Sequence, residues 1–123
     1  MARVLITEEL AQTGIELLRS KGHDVQISLG LSPDDLLAEI ADADALIVRS
    51  ATEVDKRLLD EANQLQVIGR AGVGLDNVDI ATATSRGILV CNAPESNVVS
   101  AAEHSVALLL ALARNVAQAH SAL

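Results

Sequence analysis

The sequence of 123 residues is close to the commonest size of one domain, and half of its residues are hydrophobic, which suffices for a core. It contains no Phe, Tyr or Trp, so the core is aliphatic, and functions that stack aromatic rings on flavins or single-stranded nucleic acid are disfavoured. A net charge of -8 weighs against nucleic acid as a partner, although a small anion can still bind where basic groups converge.

Short apolar segments alternate with longer amphipathic segments along the chain. Each short segment is rich in Val, Ile or Leu and is bounded by Gly or polar residues, which is typical of buried parallel strands. The predicted strands are 4–6, 25–27, 45–48, 67–68 and 88–90. This alternation predicts an α/β fold with a doubly wound, five-stranded parallel sheet and helices on both faces. Right-handed crossovers favour the flavodoxin-like strand order 2-1-3-4-5.

Helix starts are predicted where a hydroxyl side chain precedes an acidic residue. The predicted pairs are Thr7 with Glu8, Ser32 with Asp35, Thr52 with Asp55, and Ser100 with Glu103 in a capping box. Pro33 suits a first helical position, and Gly22 suits the left-handed residue that ends the first helix. A further short helix is predicted over residues 78–85.

The final helix, predicted over residues 100–119, is composed largely of Ala, Leu and Val on several faces. A helix that is apolar around most of its circumference is expected to be buried on more than one side. The sequence therefore predicts a domain core over residues 1–99 and a segment, 100–123, that normally lies between two domains or subunits. Without a second body, this helix is expected to pack back on the sheet as the fifth helix or to swap between two chains in a homodimer.

Cys91 is the only cysteine, so no internal disulfide can form, which fits a reducing cytoplasm. At the end of the fifth predicted strand, its thiol is expected to act as a small buried hydrophobe. The apolar run at 4–6 is too short for a signal peptide, and no run approaches the roughly 20 apolar residues of a membrane span. The scattered His23, His104 and His120 lack the spacing of metal ligands.

Ligands of open α/β sheets bind beyond the carboxyl ends of the strands, so the residues that follow each predicted strand are the candidates. Arg49 follows the third strand, and its guanidinium can hold a carboxylate or phosphate through two parallel hydrogen bonds. Gly72 and Gly74 follow the fourth strand, and they permit positive φ and close approach of backbone N–H groups to an anion. For Arg49, a solvated side chain or a structural ion pair is the alternative, and for the glycines a plain tight turn. The combination of the arginine and the glycine turn on adjacent strands favours an anion site.

The loop after the fifth strand contains Asn97, for which a turn role and a ligand role both remain open. The spacing Gly72-x-Gly74-x-x-Asn77 approaches a dinucleotide fingerprint, with Glu95 at the separation of a ribose contact. Its last position is Asn rather than Gly or Ala, and only one strand follows it, so this interpretation is disfavoured.

Three segments together resemble, in order and spacing, the start of the D-isomer-specific 2-hydroxyacid dehydrogenases, and within that family the 3-phosphoglycerate dehydrogenases most. They are ALIVRSATEV (45–54), QVIGRAGVGLDNVD (66–79) and GILVCNAPESNVVSAAEHSVALLLALAR (87–114). The resemblance covers essentially the whole chain, and the combination is far more specific than any single motif above.

The resemblance implies NAD-dependent oxidation of 3-phosphoglycerate to 3-phosphohydroxypyruvate, the first step of serine biosynthesis. The implied substrate-binding residues are Arg49, Ser50, Gly72, Val73, Gly74 and Asn97. By the resemblance, Arg49 and Ser50 hold the anionic groups of the substrate. The backbone of the glycine turn receives the carboxylate, and Val73 also lies near the nicotinamide.

In that family, the helix at 100–119 crosses from the substrate domain into an NAD-binding domain, which is thus the implied partner besides a small anionic 2-hydroxy acid. The family also needs a catalytic arginine, glutamate and histidine and a Gly-x-Gly-x-x-Gly loop, none of which these 123 residues supply. The isolated chain is therefore expected to bind no NAD tightly and to be catalytically silent.

Two alternatives remain: a dehydrogenase for another small 2-hydroxy acid, and a truncated flavodoxin-like fold with no activity. Two other classes of protein share this topology, and for each class the residues at one place in the sequence do not fit. A response-regulator receiver needs an acidic phosphoacceptor where Arg49 stands. A flavodoxin needs a phosphate loop after the first strand, where the acidic sequence Thr7-Glu8-Glu9 lies.

Overall fold

A computed structural model describes residues 1–123 as alternating strands and helices around one parallel sheet. The elements are β1 (Arg3–Ile6), α1 (Gln12–Ser20), β2 (Asp24–Ile27), α2 (Pro33–Ile40), β3 (Ala45–Val48), α3 (Lys56–Glu61), β4 (Val67–Arg70), α4 (Ile80–Ser85), β5 (Leu89–Asn92), α5 (Val98–Ala113) and α6 (Val116–Ser121). The strand order is β2-β1-β3-β4-β5, and all pairings are parallel. The predicted fold class and strand order are confirmed.

One face of the sheet is covered by α2, α3 and α4 and contains most of the core. Leu46 and Ile68 from the central strands pack there with Leu59 of α3, and all three are fully buried. Burying an aliphatic side chain of this size stabilises the fold by about 1.5–3 kcal/mol. This face therefore supplies most of the hydrophobic free energy that holds the strands in register.

The opposite face is covered over only part of its width. Val4 and Ile6 of β1 pack there against Ile15 of α1. Towards β5 this face is open, since Leu89 is 62% exposed and Cys91 is exposed as well. Successive residues of a strand point to opposite faces, so Val90 reaches the covered side while its two neighbours do not. The expectation of a buried Cys91 was thus wrong, because no helix lies over its face of β5.

Two of the predicted helix ends agree with the structure in detail. Ser32 caps α2 by accepting a hydrogen bond of 3.2 Å from the backbone N–H of Asp35, and Pro33 occupies the first helical position. Gly22, which follows α1, has a φ of 84°, the left-handed conformation predicted for it. Local side-chain chemistry decides both ends, so the sequence pattern was sufficient to find them.

Two other predicted helix starts were wrong, because each candidate cap residue is used elsewhere. The helix α1 starts at Gln12, well beyond Thr7. The hydroxyl of Thr7 lies 2.9 Å from that of Thr52, so neither of these residues caps a helix. Asp55 caps α3 instead, accepting the N–H of Leu58 at 2.9 Å.

The terminal helices differ most from the sequence pattern. The cap position of α5 is Asn97, and Ser100 donates its hydroxyl to the carbonyl of Asn97 within the first turn, so the predicted capping box does not form. The predicted single helix is divided at Asn115, whose φ of 51° starts the separate α6. Neither helix has a buried residue, although their side chains are largely apolar. None of the helices has the length and apolarity needed to cross a membrane.

Two glycines, Gly14 within α1 and Gly22 just after it, together test where α1 ends. Replacing Gly22 with Ala forces a side chain into left-handed backbone, and we expect the free energy of unfolding to fall by about 1–2 kcal/mol. Replacing Gly14 with Ala inside α1 should raise it by about 0.5–1 kcal/mol, since the new methyl group meets only ordinary contact with Leu10 at 3.5 Å. Urea unfolding of both variants measures the two changes, and equal effects would contradict the assigned end of α1.

Candidate functional site

Three loops meet at the carboxyl edge of the sheet, after β3, β4 and β5. Val48 pairs with Arg70, and the N–H of Ala71 donates to the carbonyl of Val48 at 2.8 Å. The N–H of Ala93 donates to the carbonyl of Gly72 at 2.9 Å. The side chain of Asn92 donates to the carbonyl of Val73 at 2.7 Å. The predicted candidates after β3 and β4 therefore lie at the same end of the sheet, on adjacent strands.

Arg49 is exposed at this edge, and its guanidinium makes no hydrogen bond or ion pair within the chain. The cations that do form ion pairs lie elsewhere: Arg3, Lys56, Arg57 and Arg86. A structural ion pair, one alternative for Arg49, is thus absent. In a protein of net charge -8, this arginine keeps its donors available for an external anion.

The glycine turn after β4 is shaped by a neighbouring side chain. Neither Gly72 nor Gly74 has a positive φ, so the predicted reason for two glycines was incomplete. A Cβ at Gly72 would overlap the guanidinium of Arg70, and one at Gly74 would lie 2.8 Å from a carboxylate oxygen of Asp76. Glycine at these positions therefore leaves room for the flexible ends of Arg70 and Asp76 and does not serve a left-handed backbone.

The turn leaves several consecutive backbone donors without an acceptor in the chain, and Val73 and Gly74 are the first two. The N–H of Gly72 is occupied, because it donates to the carbonyl of Arg70 at 2.8 Å. The N–H groups of Val73 and Gly74 donate to no protein atom, and Val73 is 40% exposed. Two neighbouring amides of this kind can hold one oxygen of a carboxylate or phosphate.

Asn97 is less closely attached to this group of residues. It occupies the cap position of α5, its side chain forms no hydrogen bond, and it is exposed. The hydrogen bonds that join this part of the chain to the glycine turn come from Asn92 and Ala93, several positions before Asn97. The structure thus brings Arg49, Ser50 and residues 72–74 to one edge and leaves Asn97 at its margin.

Two residues at this edge were missed as site components by the sequence interpretation. The carboxylate of Glu8 accepts hydrogen bonds from the backbone N–H groups of Arg49, Ala51 and Thr52 at 2.8, 3.1 and 3.0 Å. The side-chain amide of Asn77 donates to the carbonyls of Arg49 and Thr52, both at 2.7 Å. Glu8 therefore holds the N–H groups of the segment after β3, and Asn77 holds its carbonyls.

The ionisation of Glu8 is tied to this contact. Partial burial disfavours the charged carboxylate, but the backbone N–H groups of Thr52, Arg49 and Ala51 outweigh this effect and hold the pKa of Glu8 below its usual value. Near neutral pH, Glu8 is therefore an ionised acceptor for the loop and not a candidate general acid.

One cavity lies beside the anion site and does not include its predicted residues. Its volume is about 370 Å³, and its lining residues include Thr7, Leu36, Thr52 and Leu58. Glu8 also lines it and connects it with the segment at Arg49. The candidate site is thus an open rim of loops and not an enclosed pocket.

The glycine turn does not fit a dinucleotide. The third fingerprint position, Asn77, is 4% exposed and is occupied with the carbonyls of the neighbouring loop. In a dinucleotide-binding turn, the glycines lead directly into a helix whose N-terminus faces the pyrophosphate. Here the next helix, α4, has 6 residues and begins only at Ile80, beyond Asn77. No group of His, Cys, Asp and Glu side chains has the arrangement of a metal site.

The sequence matches the family model of the D-isomer specific 2-hydroxyacid dehydrogenase catalytic domain over residues 4–122. It is 53% identical over 122 residues to D-3-phosphoglycerate dehydrogenase 2, chloroplastic, of Arabidopsis thaliana, a match that covers 98% of this chain and 19% of that protein. The chain spans between 19% and 23% of the length of such curated relatives.

Solved structures agree with this similarity. A protein from Thermus thermophilus superimposes with a TM-score of 0.88 and 36% identity, covering 97% of this chain and 39% of that one. A cofactor (NAD+)-bound 3-phosphoglycerate dehydrogenase from Entamoeba histolytica gives a TM-score of 0.79 and 26% identity, covering 89% of this chain and 38% of that one.

The lowered pKa of Glu8 predicts an acid-dependent loss of stability. A carboxyl whose pKa is lower in the folded state stabilises the fold above its unfolded-state pKa, about 4.3, and this contribution is lost as the pH falls through the native pKa. The stability gap between wild type and Glu8→Gln should therefore be largest near neutral pH and shrink under acid conditions. Urea unfolding across this pH range measures the gap.

Glu9→Gln is the matched control for this measurement. Glu9 is exposed and makes no hydrogen bond or ion pair, so this variant should follow the wild-type stability curve. A gap for Glu8→Gln that stayed constant from neutral to acid pH would show that the carboxylate charge contributes nothing to the loop.

Proposed function

This chain belongs to the D-isomer specific 2-hydroxyacid dehydrogenase family, and on that premise we propose that it forms the substrate-recognising part of an NAD-dependent 3-phosphoglycerate dehydrogenase. The whole enzyme would oxidise 3-phosphoglycerate to 3-phosphohydroxypyruvate in serine biosynthesis. One observation carries the proposal: an unpaired arginine and two unpaired backbone amides share one edge of an otherwise acidic protein.

The proposed roles follow from which donors remain available. The guanidinium of Arg49, with Ser50 beside it, would bind the anionic groups of the substrate. The N–H groups of Val73 and Gly74 would receive the carboxylate, because they donate to no acceptor within the chain. Gly72 would contribute indirectly, by leaving room for the guanidinium of Arg70, since its own N–H is engaged with the carbonyl of Arg70. Asn97 would line the site from its margin.

The cofactor belongs to another part of the proposed enzyme. The nicotinamide would accept the hydride from the substrate, but the glycine turn of this chain does not fit a dinucleotide. We therefore propose that NAD binds to a separate body of the whole protein and that Val73 lies where the two bodies face each other. A solved relative, the NAD-dependent formate dehydrogenase of Staphylococcus aureus in complex with NAD, is 30% identical, and this chain covers 40% of it. That relative holds its cofactor in a chain longer than this one, as the proposal requires.

A dehydrogenase for another small 2-hydroxy acid is the second candidate. The paired amides suit the carboxylate that all such substrates share, so they do not distinguish between them. Arg49 provides the distinction, because a second anionic group gives its guanidinium a partner. Glycerate, which lacks the phosphate, is therefore the informative comparison ligand.

Ligand binding to the chain can be measured from amide chemical shifts. We expect titration with 3-phosphoglycerate to shift the amides of Arg49, Ser50, Val73 and Gly74. A lost charge-assisted pair costs about 1.5–3 kcal/mol, so Arg49→Ala should weaken binding by roughly 10- to 100-fold. Arg19→Ala, which removes an exposed cation from α1, is the matched control and should bind as wild type does.

The outcomes separate the two candidate substrates. Tighter binding of 3-phosphoglycerate than of glycerate, lost in Arg49→Ala, supports the phosphate-bearing substrate. Equal binding of both ligands favours another 2-hydroxy acid. Shifts that avoid the carboxyl edge altogether would contradict either assignment.

We further propose that the segment from 100 to 123 carries an interface rather than a free surface. Its helices expose Leu108, Leu109 and Leu112 by 57%, 65% and 77%, and no residue of α5 is buried. Contiguous apolar surface of this kind marks a contact with another body. In the whole enzyme that body would be the NAD-binding domain, and for the chain alone it would be a second copy.

Light scattering after size-exclusion chromatography tests the proposal on the chain itself. We expect a dimer, because the apolar surface of α5 is not covered within one copy. Leu108 and Leu112 lie one turn apart on the same side, so the Leu108→Gln, Leu112→Gln variant should shift the equilibrium to monomer. A wild-type chain that stayed monomeric, with a disordered terminal segment, would contradict the interface.

A further inference from the structure

We infer that Glu8 and Asn77 are positioning residues of the anion site, which fix the backbone at Arg49 from its two sides. The inference rests on the proposed function, because it assigns these residues to the site that would bind the substrate. Neither residue would touch the ligand, and each would act through the segment after β3.

Glu8 holds the N–H side of this segment. Its Oε1 accepts from Arg49 and Thr52, and its Oε2 accepts from Ala51. These donors follow β3, whereas Glu8 follows β1, so one carboxylate ties the ends of two neighbouring strands together. Three N–H groups directed at one point form an anion-binding concavity, and here the protein's own carboxylate fills it.

Asn77 holds the carbonyl side of the same segment. Its side-chain nitrogen has two hydrogens, and these are directed to the carbonyls of Arg49 and Thr52, both at 2.7 Å. Its Oδ1 accepts from Nε of Arg70 at 3.2 Å, and the guanidinium of Arg70 lies against Gly72. Asn77 thus connects the arginine loop to the glycine turn with every polar atom of its side chain engaged.

The hydrogen bonds of Glu8 and Asn77 together determine which donor groups at this edge remain free to bind a ligand. Because Glu8 occupies the N–H groups of Arg49, Ala51 and Thr52, this loop can offer an external anion mainly its side chains. The N–H of Ser50 is the exception in this loop, and further free backbone donors lie across the edge, at Val73 and Gly74 among others. A fixed spacing between the guanidinium and these amides is what a ligand with two anionic ends requires.

Two substitutions of nearly the same shape test the two contacts. Glu8→Gln keeps one acceptor oxygen but directs an NH2 group at a backbone donor. Asn77→Asp replaces the two-hydrogen donor with a carboxylate that faces two carbonyls. Glu9→Gln and Asn63→Asp are the matched controls, because both residues are exposed and neither contacts the edge.

The readout is the dissociation constant for 3-phosphoglycerate, measured by amide shifts on the folded 123-residue chain. We expect Glu8→Gln and Asn77→Asp to weaken binding by at least about tenfold, as loss of a charge-assisted contact does. Both should move the amide signals of Arg49, Ala51 and Thr52 without ligand and leave core signals such as Leu59 unchanged. The control variants should bind with the wild-type constant.

A double substitution separates positioning from general stability. If Glu8 acts through Arg49, then Glu8→Gln should have little further effect on binding once Arg49→Ala is present. A purely structural contribution would weaken binding by the same factor in both backgrounds. Additive effects would therefore overturn the inference, and so would wild-type binding by both single variants.

The result for the wild-type chain distinguishes this inference from the function itself. If the wild type binds and Glu8→Gln and Asn77→Asp bind equally well, the positioning role is wrong and the proposed function stands. If the wild type binds neither 3-phosphoglycerate nor glycerate, the substrate-binding function of the chain fails, and the positioning role fails with it.

Discussion

Parallel pairing of β3 with β4 is the constraint from which the site arises. The register sets Val48 opposite Arg70, so the loops that follow these strands leave the sheet side by side. Parallel strands all end at the same edge, and the backbone groups of the loops must find partners there. The structure meets this need with two side chains, Glu8 and Asn77, and in doing so it orders the segment at Arg49.

The sheet could be predicted from sequence because its signals are local and repeated. Short Val, Ile and Leu segments at regular intervals determine the strands, and handedness limits their order. Ser32 and Gly22 were predicted correctly for the same reason, since each end of a helix depends on a few neighbouring residues. The placement of Arg49 and the glycine turn at one edge follows from these local signals once the strand order is known.

The features that could not be predicted from the sequence depend on contacts between distant parts of the chain. Glu8 resembles a residue that favours a helix start, but its carboxylate bonds to a loop more than forty positions away. Asn77 was considered only as a failed fingerprint position, although its amide joins two loops. Ser100 satisfied a local capping rule, yet the helix begins earlier, at Val98. No pattern over neighbouring residues contains information of this kind.

The electrostatics of the edge are consistent with its proposed role. The chain has a net charge of -8, and its four ion pairs do not include Arg49. Arg49 keeps its charge unpaired beside free backbone amides, and the nearby carboxylate of Glu8, although ionised, is engaged by backbone donors of the loop. The local surroundings therefore favour an anion even though the net charge of the protein opposes one.

The uncovered part of the sheet has a practical consequence for the chemistry of the chain. The sole thiol, Cys91, projects from that bare surface, where solvent reaches it. Anything that settles over β5, whether another polypeptide or a second copy, must shield this sulfur from reagents. The rate at which the sulfur of Cys91 is alkylated therefore measures directly how much of this surface is covered.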